Sequence, residues 1–179
     1  DVYKRQDTMA LERSTSSLDH KAFCYLLPYV DFEAVGRVER ATVSPEYFGT
    51  LVKTLQSTLV YDHLIVSHIP VMDYPDLTAD IADMLLRTRG CRWIFCSGIY
   101  KETIYFSIRT ENKRGAGELA RKSVGEQGMA GGHGSIAGGQ FPIGDSNPDA
   151  MVQLLKMQLL DRFATVSYTH LTLPTSNDV

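Results

Sequence analysis

The order in which strand-like and helix-like patterns follow one another is the feature that most constrains this fold. Three segments with an apolar helical face are interspersed with four short β-rich runs; the helical segments are 77–88, 115–124 and 147–163, and the runs are 64–69, 92–99, 103–109 and 141–143. Strands that alternate with helices bury their apolar faces in a sheet covered by helices. The sequence therefore predicts an α/β fold with a small mixed β-sheet and flanking helices. The proline in the last run is typical of an edge strand.

A helical segment precedes this pattern. Residues 18–35 carry apolar positions at roughly helical spacing, and Pro28 interrupts them. Ser44 and Pro45 are the residue types preferred at the N-cap and first position of a helix, and apolar residues follow at i, i+3, i+4 and i+7. We expect a helical connector that leads into the sheet domain.

The two runs at 92–99 and 103–109 are joined by only a few residues, which predicts an antiparallel hairpin. Trp93 and Phe95 share one face of the first strand. That position favours a place in the core, and stacking of Trp93 on a base is the alternative.

Composition sets broad limits on the class of protein. The 179 residues carry 18 Lys and Arg against 21 Asp and Glu, a formal charge of −3, which excludes a strongly basic nucleic-acid coat and a disordered acidic tail. Three cysteines form no even disulfide framework, so a reducing, cytoplasmic compartment is expected. No apolar stretch approaches the roughly 18 residues of a spanning helix, so no membrane association is expected.

The charge is unevenly distributed along the chain. Residues 107–122 carry five positive and two negative side chains, +3 in all, whereas four aspartates within 73–83 give −4. Asp76, Asp80 and Asp83 share one helical face, which suggests a metal site. Carboxylates are also favoured near the start of a helix, and we adopt that interpretation. We therefore expect no metal ligands in this chain.

Glycine is concentrated in the window 125–139, which holds 7 of the 14 glycines. Within it Gly131, Gly132, His133 and Gly134 follow a predicted helix and precede a predicted strand, so we expect a loop. Glycines let a ligand approach the main chain closely, and successive N–H groups form a concavity that binds anions such as phosphate. A plain glycine-rich turn is the alternative.

A second candidate for phosphate binding lies at the end of the second hairpin strand. Arg109, followed by Thr110, ends that strand, and an arginine there can bind two phosphate oxygens through its forked N–H groups. A solvated basic helix face is the alternative explanation for the positive charge of this region.

The segment Ser107-Ile-Arg-Thr110, followed by Gly131-Gly-His-Gly-Ser-Ile-Ala-Gly-Gly139, resembles the C-terminal DHHA1 domain of the DHH phosphoesterases. That family includes RecJ-like nucleases, oligoribonuclease and phosphoadenosine-phosphate phosphatases, and cyclic-dinucleotide phosphodiesterases. The resemblance covers about residues 60–143 and implies a DHHA1-like fold. It also implies a set of substrate- and phosphate-binding residues, which are Arg109, Thr110, Gly131, Gly132, His133 and Ser135.

The resemblance further implies a phosphodiesterase that acts on short oligonucleotides or dinucleotides with Mn²⁺ bound in a separate DHH domain. This sequence has no Asp-x-Asp motif and no Asp-His-His triplet, and Asp19-His20-Lys21 has only the first two letters. We therefore expect a fragment without catalytic residues or a cofactor of its own, which hydrolyses nothing in isolation.

The expected partners are a nucleotide or short single-stranded oligonucleotide and the DHH domain of the same parent chain, with a homodimer as a further expectation. A non-catalytic module that binds tRNA, like the related C-terminal domain of alanyl-tRNA synthetases, is the alternative function.

Domain boundaries follow from these patterns. We assign residues 7–58 to the helical connector and 59–165 to the DHHA1 substrate-binding domain. Residues 1–6 and 166–179 do not continue the pattern beside them and resemble translated adapter sequence, so we expect non-native flanks. Genuine disordered termini are the alternative.

Overall fold

The structure, a computed structural model, describes residues 16–40, 42–124, 128–144, 147–163 and 168–170. The chain divides into two compact units, Asp1–Val43 and Ser44–Val179. The domain boundaries drawn from the sequence stay predictions, and the flank 1–6 lies outside the described residues, as does most of 166–179.

The first unit contains two short helices, α1 (Ser17–Leu26) and α2 (Phe32–Glu39), separated by a 3₁₀ turn at Leu27–Tyr29. Ser16 and Asp19 form a capping box at the start of α1, in which each side chain accepts a hydrogen bond from the other residue's backbone N–H. Pro28 lies in the 3₁₀ turn, so the predicted interruption of the helical pattern is confirmed.

The second unit is a seven-stranded mixed sheet with helices on both faces. The helices are α3 (Pro45–Gln56), α4 (Leu77–Leu85), α5 (Ala116–Val124) and α6 (Pro148–Arg162). The strands are β1 (Leu59–Tyr61), β2 (Leu64–Ile69), β3 (Trp93–Tyr100), β4 (Thr103–Thr110), β5 (Met129–His133), β6 (Ile136–Pro142) and β7 (Tyr168–His170). Their order is β5-β6-β4-β3-β2-β1-β7, and only β2 and β3 pair in parallel among the described strands. The predicted α/β fold is confirmed.

Two apolar clusters cover the two faces of the sheet. On one face Phe95 and Phe106 stack with ring centroids 5.5 Å apart and pack under α5 and α6. On the other face Ile65 and Ile94 pack under α4, whose Ile81 is fully buried. Trp93 joins the first cluster and meets Phe163 edge to face, so its predicted place in the core is confirmed. No helix in the described ranges is both long and apolar enough to cross a membrane.

The predicted hairpin of β3 and β4 is confirmed, with its turn at Lys101 and Glu102. Two predictions for residues 131–143 are wrong. Gly131–His133 is the end of strand β5 rather than a loop, and Gly134 and Ser135 form the turn of a β5–β6 hairpin. The run at 141–143 is not an edge strand either, since β6 lies between β4 and β5 and Pro142 is merely its last residue. Hydrogen bonding between β6 and β4 holds this segment as a strand, although glycine has a low strand propensity.

Candidate functional site

Strands β4, β6 and β5 align two rows of residues on the face covered by α4. The register gives a Ser107 row, made of Ser107, Gly138 and Gly131, and an Arg109 row, made of Arg109, Ile136 and His133. Alternate residues of a strand share a face, so both rows face the same side. That side is fixed by two contacts to α4, from Ser107 to Thr78 (Oγ–Oγ1 3.0 Å) and from Arg109 to Asp83.

A cleft of about 390 Å³ opens between the start of α4 and the glycine-bearing strands. Asp76 and Ala79 line one wall, and Ser107, Gly131 and Gly138 line the floor. A Cβ atom at Gly131 would meet nothing within 4 Å, so the missing side chain is what keeps this part of the floor open. The cleft therefore offers bare main chain and one hydroxyl pair to a ligand.

Arg109 lies on β4 two residues beyond Ser107, outside the lining of the cleft, and is buried and held by α4. Its Nε donates to Asp83 Oδ1 at 2.9 Å and its Nη2 donates to Oδ2 at 3.2 Å. Its Nη1 donates to the carbonyl oxygens of Ile108 and Ala137 at 3.2 and 3.5 Å. The guanidinium is thus fixed in one orientation, with its charge offset by one carboxylate.

Thr110 and Ser135 connect the strand end to the turn of the glycine hairpin. The Thr110 hydroxyl donates to the Arg92 carbonyl at 2.8 Å and accepts from the Asn112 N–H at 3.1 Å. The Thr110 N–H donates to the Ser135 carbonyl at 3.0 Å. These bonds position the turn beside Arg109, and the buried Thr110 hydroxyl is fully engaged in them.

Gly132 lies on the face of β5 that packs against α5, whereas Gly131 and His133 lie on the face covered by α4. Helix α5 approaches β5 so closely that a Cβ at Gly117 would lie 2.4 Å from the Gly132 carbonyl oxygen. Gly132 itself has a φ of +152°. His133 is exposed at the end of β5, in the Arg109 row.

The wall of the cleft formed by α4 is acidic, because Asp76 lines it and Asp80 and Asp83 follow on the same helix. Burial raises the pKa of Asp80, as do the nearby charges of Asp76 and Asp83, while Tyr74 and Arg109 act in the opposite direction. The Tyr74 hydroxyl donates to Asp80 Oδ2 at 3.1 Å. Burial, followed by the Asp80 carboxylate, raises the pKa of Tyr74 to about 12.

The Tyr74–Asp80 contact predicts a measurable change in tyrosine titration. In Asp80→Asn, we expect the pKa of Tyr74 to fall below 12 but to stay above its ordinary value of 10, because burial remains. A phenol with a raised pKa contributes stability that is present below its ordinary pKa and is lost as the pH rises toward the raised value. The alkaline loss of stability between these limits should therefore shrink in the variant. NMR titration of the Tyr74 ring carbons measures the pKa, and an unchanged value would contradict the contact.

The residues described by the structure contain no group of three His, Cys, Asp or Glu side chains that could hold a metal ion. The described aspartates of α4 form no such group. Asp83 instead binds Arg109, and Asp76 occupies the N-cap position of α4 without a side-chain capping bond.

Comparison with known proteins bears on the fold. No family model matches the chain. An uncharacterized protein of Methanocaldococcus jannaschii is 30% identical over 142 residues, which cover 78% of this chain and 29% of that protein. The crystal structure of an exopolyphosphatase-related protein from Bacteroides fragilis superposes with a TM-score of 0.67 at 17% identity, over 89% of this chain and 47% of that one. The fold is DHHA1-like.

A third comparison is with the C-Ala domain of Aquifex aeolicus alanyl-tRNA synthetase, which is 25% identical and has a TM-score of 0.44 over 57% of this chain and 96% of that one. The chain spans less than a third of its curated relative and about half of the exopolyphosphatase-related chain. The superposition on the exopolyphosphatase-related structure confirms the DHHA1-like fold expected from the sequence motifs.

The DHHA1-like fold brings the predicted site residues to neighbouring positions. Arg109, Thr110 and Ser135 meet at one end of β4, and Gly131, Gly132 and His133 follow on β5, two strands away. Two partners on α4, Thr78 for Ser107 and Asp83 for Arg109, were not predicted from the sequence. The acidic face of α4 was the available signal for Asp83, because a buried arginine elsewhere in the chain needs a carboxylate.

Proposed function

We propose that this chain is the nucleotide-phosphate-binding domain of a DHH-family phosphodiesterase that acts on short oligonucleotides or dinucleotides. The observation that carries the proposal is the 390 Å³ cleft, whose floor is bare glycine main chain; a buried, oriented arginine lies in the next row of the same sheet face. Glycine main chain and a forked guanidinium are two elements that proteins use to bind phosphate.

The two rows have different tasks in this proposal. The Ser107 row receives the body of the ligand, because Gly131 and Gly138 leave room there and the Ser107 and Thr78 hydroxyls can bond to sugar oxygens. The Arg109 row receives phosphate, with exposed His133 as a further donor. A phosphate competes with Asp83 for the same guanidinium, so we expect modest affinity until a second domain adds positive charge.

Hydrolysis belongs to the proposed parent protein rather than to the residues described. The proposal assigns Mn²⁺ to a DHH domain elsewhere in that parent and assigns to this chain the binding and orientation of substrate. A cytoplasmic location is part of the same proposal, and the three cysteines, Cys24, Cys91 and Cys96, are free thiols.

Calorimetric titration of the full chain with a 5′-phosphorylated diadenylate tests the proposal. Gly131→Val should weaken binding about tenfold or more by filling the cleft floor, and His133→Ala should weaken it by removing a phosphate donor. Gly49→Val is the matched control, because Gly49 is exposed on α3 with nothing within 4 Å of an added Cβ.

Circular dichroism should show that all three variants remain folded. Unchanged affinity in both Gly131→Val and His133→Ala would sink the proposed site. A structured tRNA that binds more tightly than the diadenylate, and loses affinity in the same variants, would instead favour a tRNA-binding module.

A further inference from the structure

A second cavity, of about 530 Å³, lies on the opposite face of the sheet from the glycine-floored cleft. It opens between the first half of α6 and the carboxyl ends of β2 and β3, which pair in parallel. In open α/β sheets the carboxyl ends of parallel strands are a common place for ligands. The volume lies within the range typical of small-molecule pockets.

The strand side of this cavity carries an ordered imidazole. His68 and Ser97 are direct neighbours in the β2–β3 register, and His68 Nδ1 lies 3.1 Å from Ser97 Oγ. The Ser57 hydroxyl, which also lines the cavity, donates to the His68 carbonyl at 3.2 Å. The bond at Nδ1 fixes the ring plane and leaves Nε2 for a ligand.

The helix side carries charge. Asp149, Gln153 and Lys156 project from α6 into the lining. Lys156 is half-buried, and among the described residues no carboxylate pairs with it. Burial lowers the pKa of Lys156, and burial lowers the pKa of His68 against the opposing charge of Asp149. An anion beside both groups would restore their preference for the charged form.

Most of the remaining lining is apolar, from Val66 and Phe95 on the strands to Val152 on α6. A pocket with apolar walls and a few convergent polar groups is typical of a binding site for a small organic molecule. The polar groups divide into a pair able to bind an anion, the Lys156 ammonium and the His68 imidazole, and a pair able to bond hydroxyls, Asp149 and Gln153.

We propose that this cavity binds a small phosphate monoester, with Lys156 and His68 holding the phosphate and Asp149 and Gln153 bonding hydroxyl groups of an attached sugar. The shared chemistry is a phosphate on a hydroxylated body, which a nucleotide or a sugar phosphate supplies. The site lies on the other face of the sheet from the proposed substrate cleft, so it goes beyond the proposed function.

Titration of the full chain, with the Gly131→Val change present to fill the first cleft, tests the proposal. The probes are AMP, ribose 5-phosphate and adenosine, and the readout is the NMR shift of the His68 imidazole. We expect AMP or ribose 5-phosphate to shift His68 saturably and adenosine to leave it unchanged. Stronger binding of AMP identifies the nucleotide source, and equal or stronger binding of ribose 5-phosphate identifies the sugar phosphate.

Adding Lys156→Met should weaken the binding of the phosphate probe about tenfold or more, and Lys156→Arg should retain most of it. Lys53→Met, which removes an exposed lysine on α3, is the matched control and should leave it unchanged. The absence of a His68 shift with both phosphate probes, adenosine binding as tight as AMP, or unchanged affinity in Lys156→Met would each overturn the proposal. Failure of this proposal leaves the proposed function standing, because that function is tested by the loss of diadenylate binding in Gly131→Val and His133→Ala, and neither residue lines this cavity.

Discussion

Replacing Gly132 by alanine is expected to lower the free energy of unfolding by about 3 kcal/mol or more. An added Cβ would lie 2.4 Å from the Cα of Ala137 on the paired strand and 2.4 Å from the Ile136 carbonyl oxygen. Both neighbours belong to β6, which is held on its other side by β4, so neither can move away cheaply. The φ of +152° adds backbone strain for any residue with a side chain.

Gly131→Ala is the matched control, since it makes the same change one residue earlier in β5. Its Cβ would meet nothing within 4 Å, and Gly131 has no positive φ. We expect a change within about 0.5 kcal/mol, as for an ordinary surface substitution. Urea denaturation followed by circular dichroism measures both variants, and equal losses in the two would contradict the close packing at Gly132.

The elements that the sequence predicted are those with clear periodicity and end signals. Strand β2 is a short apolar run, α3 starts at a Ser-Pro pair, and the β3–β4 hairpin has two adjacent β-rich segments. Each of these signals is local, so it is readable without knowledge of the tertiary contacts. The N-cap bond from the Tyr47 N–H to the Ser44 hydroxyl illustrates how directly such a signal becomes structure.

The β5–β6 hairpin was not predictable in the same way. Glycines at 131, 132, 138 and 139 weaken the strand preference of both segments, so the window has the composition of a loop. The segments become strands because β6 pairs with β4 along seven residues and β5 then pairs with β6. Pairing between distant segments outweighed local preference, and of these glycines Gly132 lies at the close approach of α5.

The sequence predicted the strand residues of the candidate site but not the helix that lies opposite them. The motif around Arg109 and the glycine window pointed to two segments that the sheet brings side by side. The opposite wall of the cleft comes from α4, and its place depends on how that helix packs across β3 and β4. The ion-paired Arg109 and Asp83 are 26 residues apart, so the acidic face of α4 indicated a carboxylate partner for the arginine but could not single out Asp83.

That ion pair supports the second large prediction. Asp83→Ala should lower the free energy of unfolding by about 3 kcal/mol, because it leaves a buried guanidinium with only two carbonyl acceptors. The value lies at the low end for a broken buried pair because the side chains are unequally covered, with 8% of Arg109 and 42% of Asp83 exposed. Asp76→Ala is the control, since it removes the same charge at the N-cap position of the same helix, where the carboxylate makes no capping bond.

A double-mutant cycle separates the pair from the general effect of charge on α4. Arg109→Met should cost less than Asp83→Ala, because the carboxylate left behind is half-exposed and water can solvate it. The double variant should then lose less stability than the sum of the two single losses, by about 1–3 kcal/mol of coupling. Urea denaturation at low and high salt measures all four proteins. Additive losses, or an Asp76→Ala loss as large as that of Asp83→Ala, would mean that Asp83 does not stabilise the fold through Arg109. The oriented guanidinium on which phosphate binding is proposed would then lack its support.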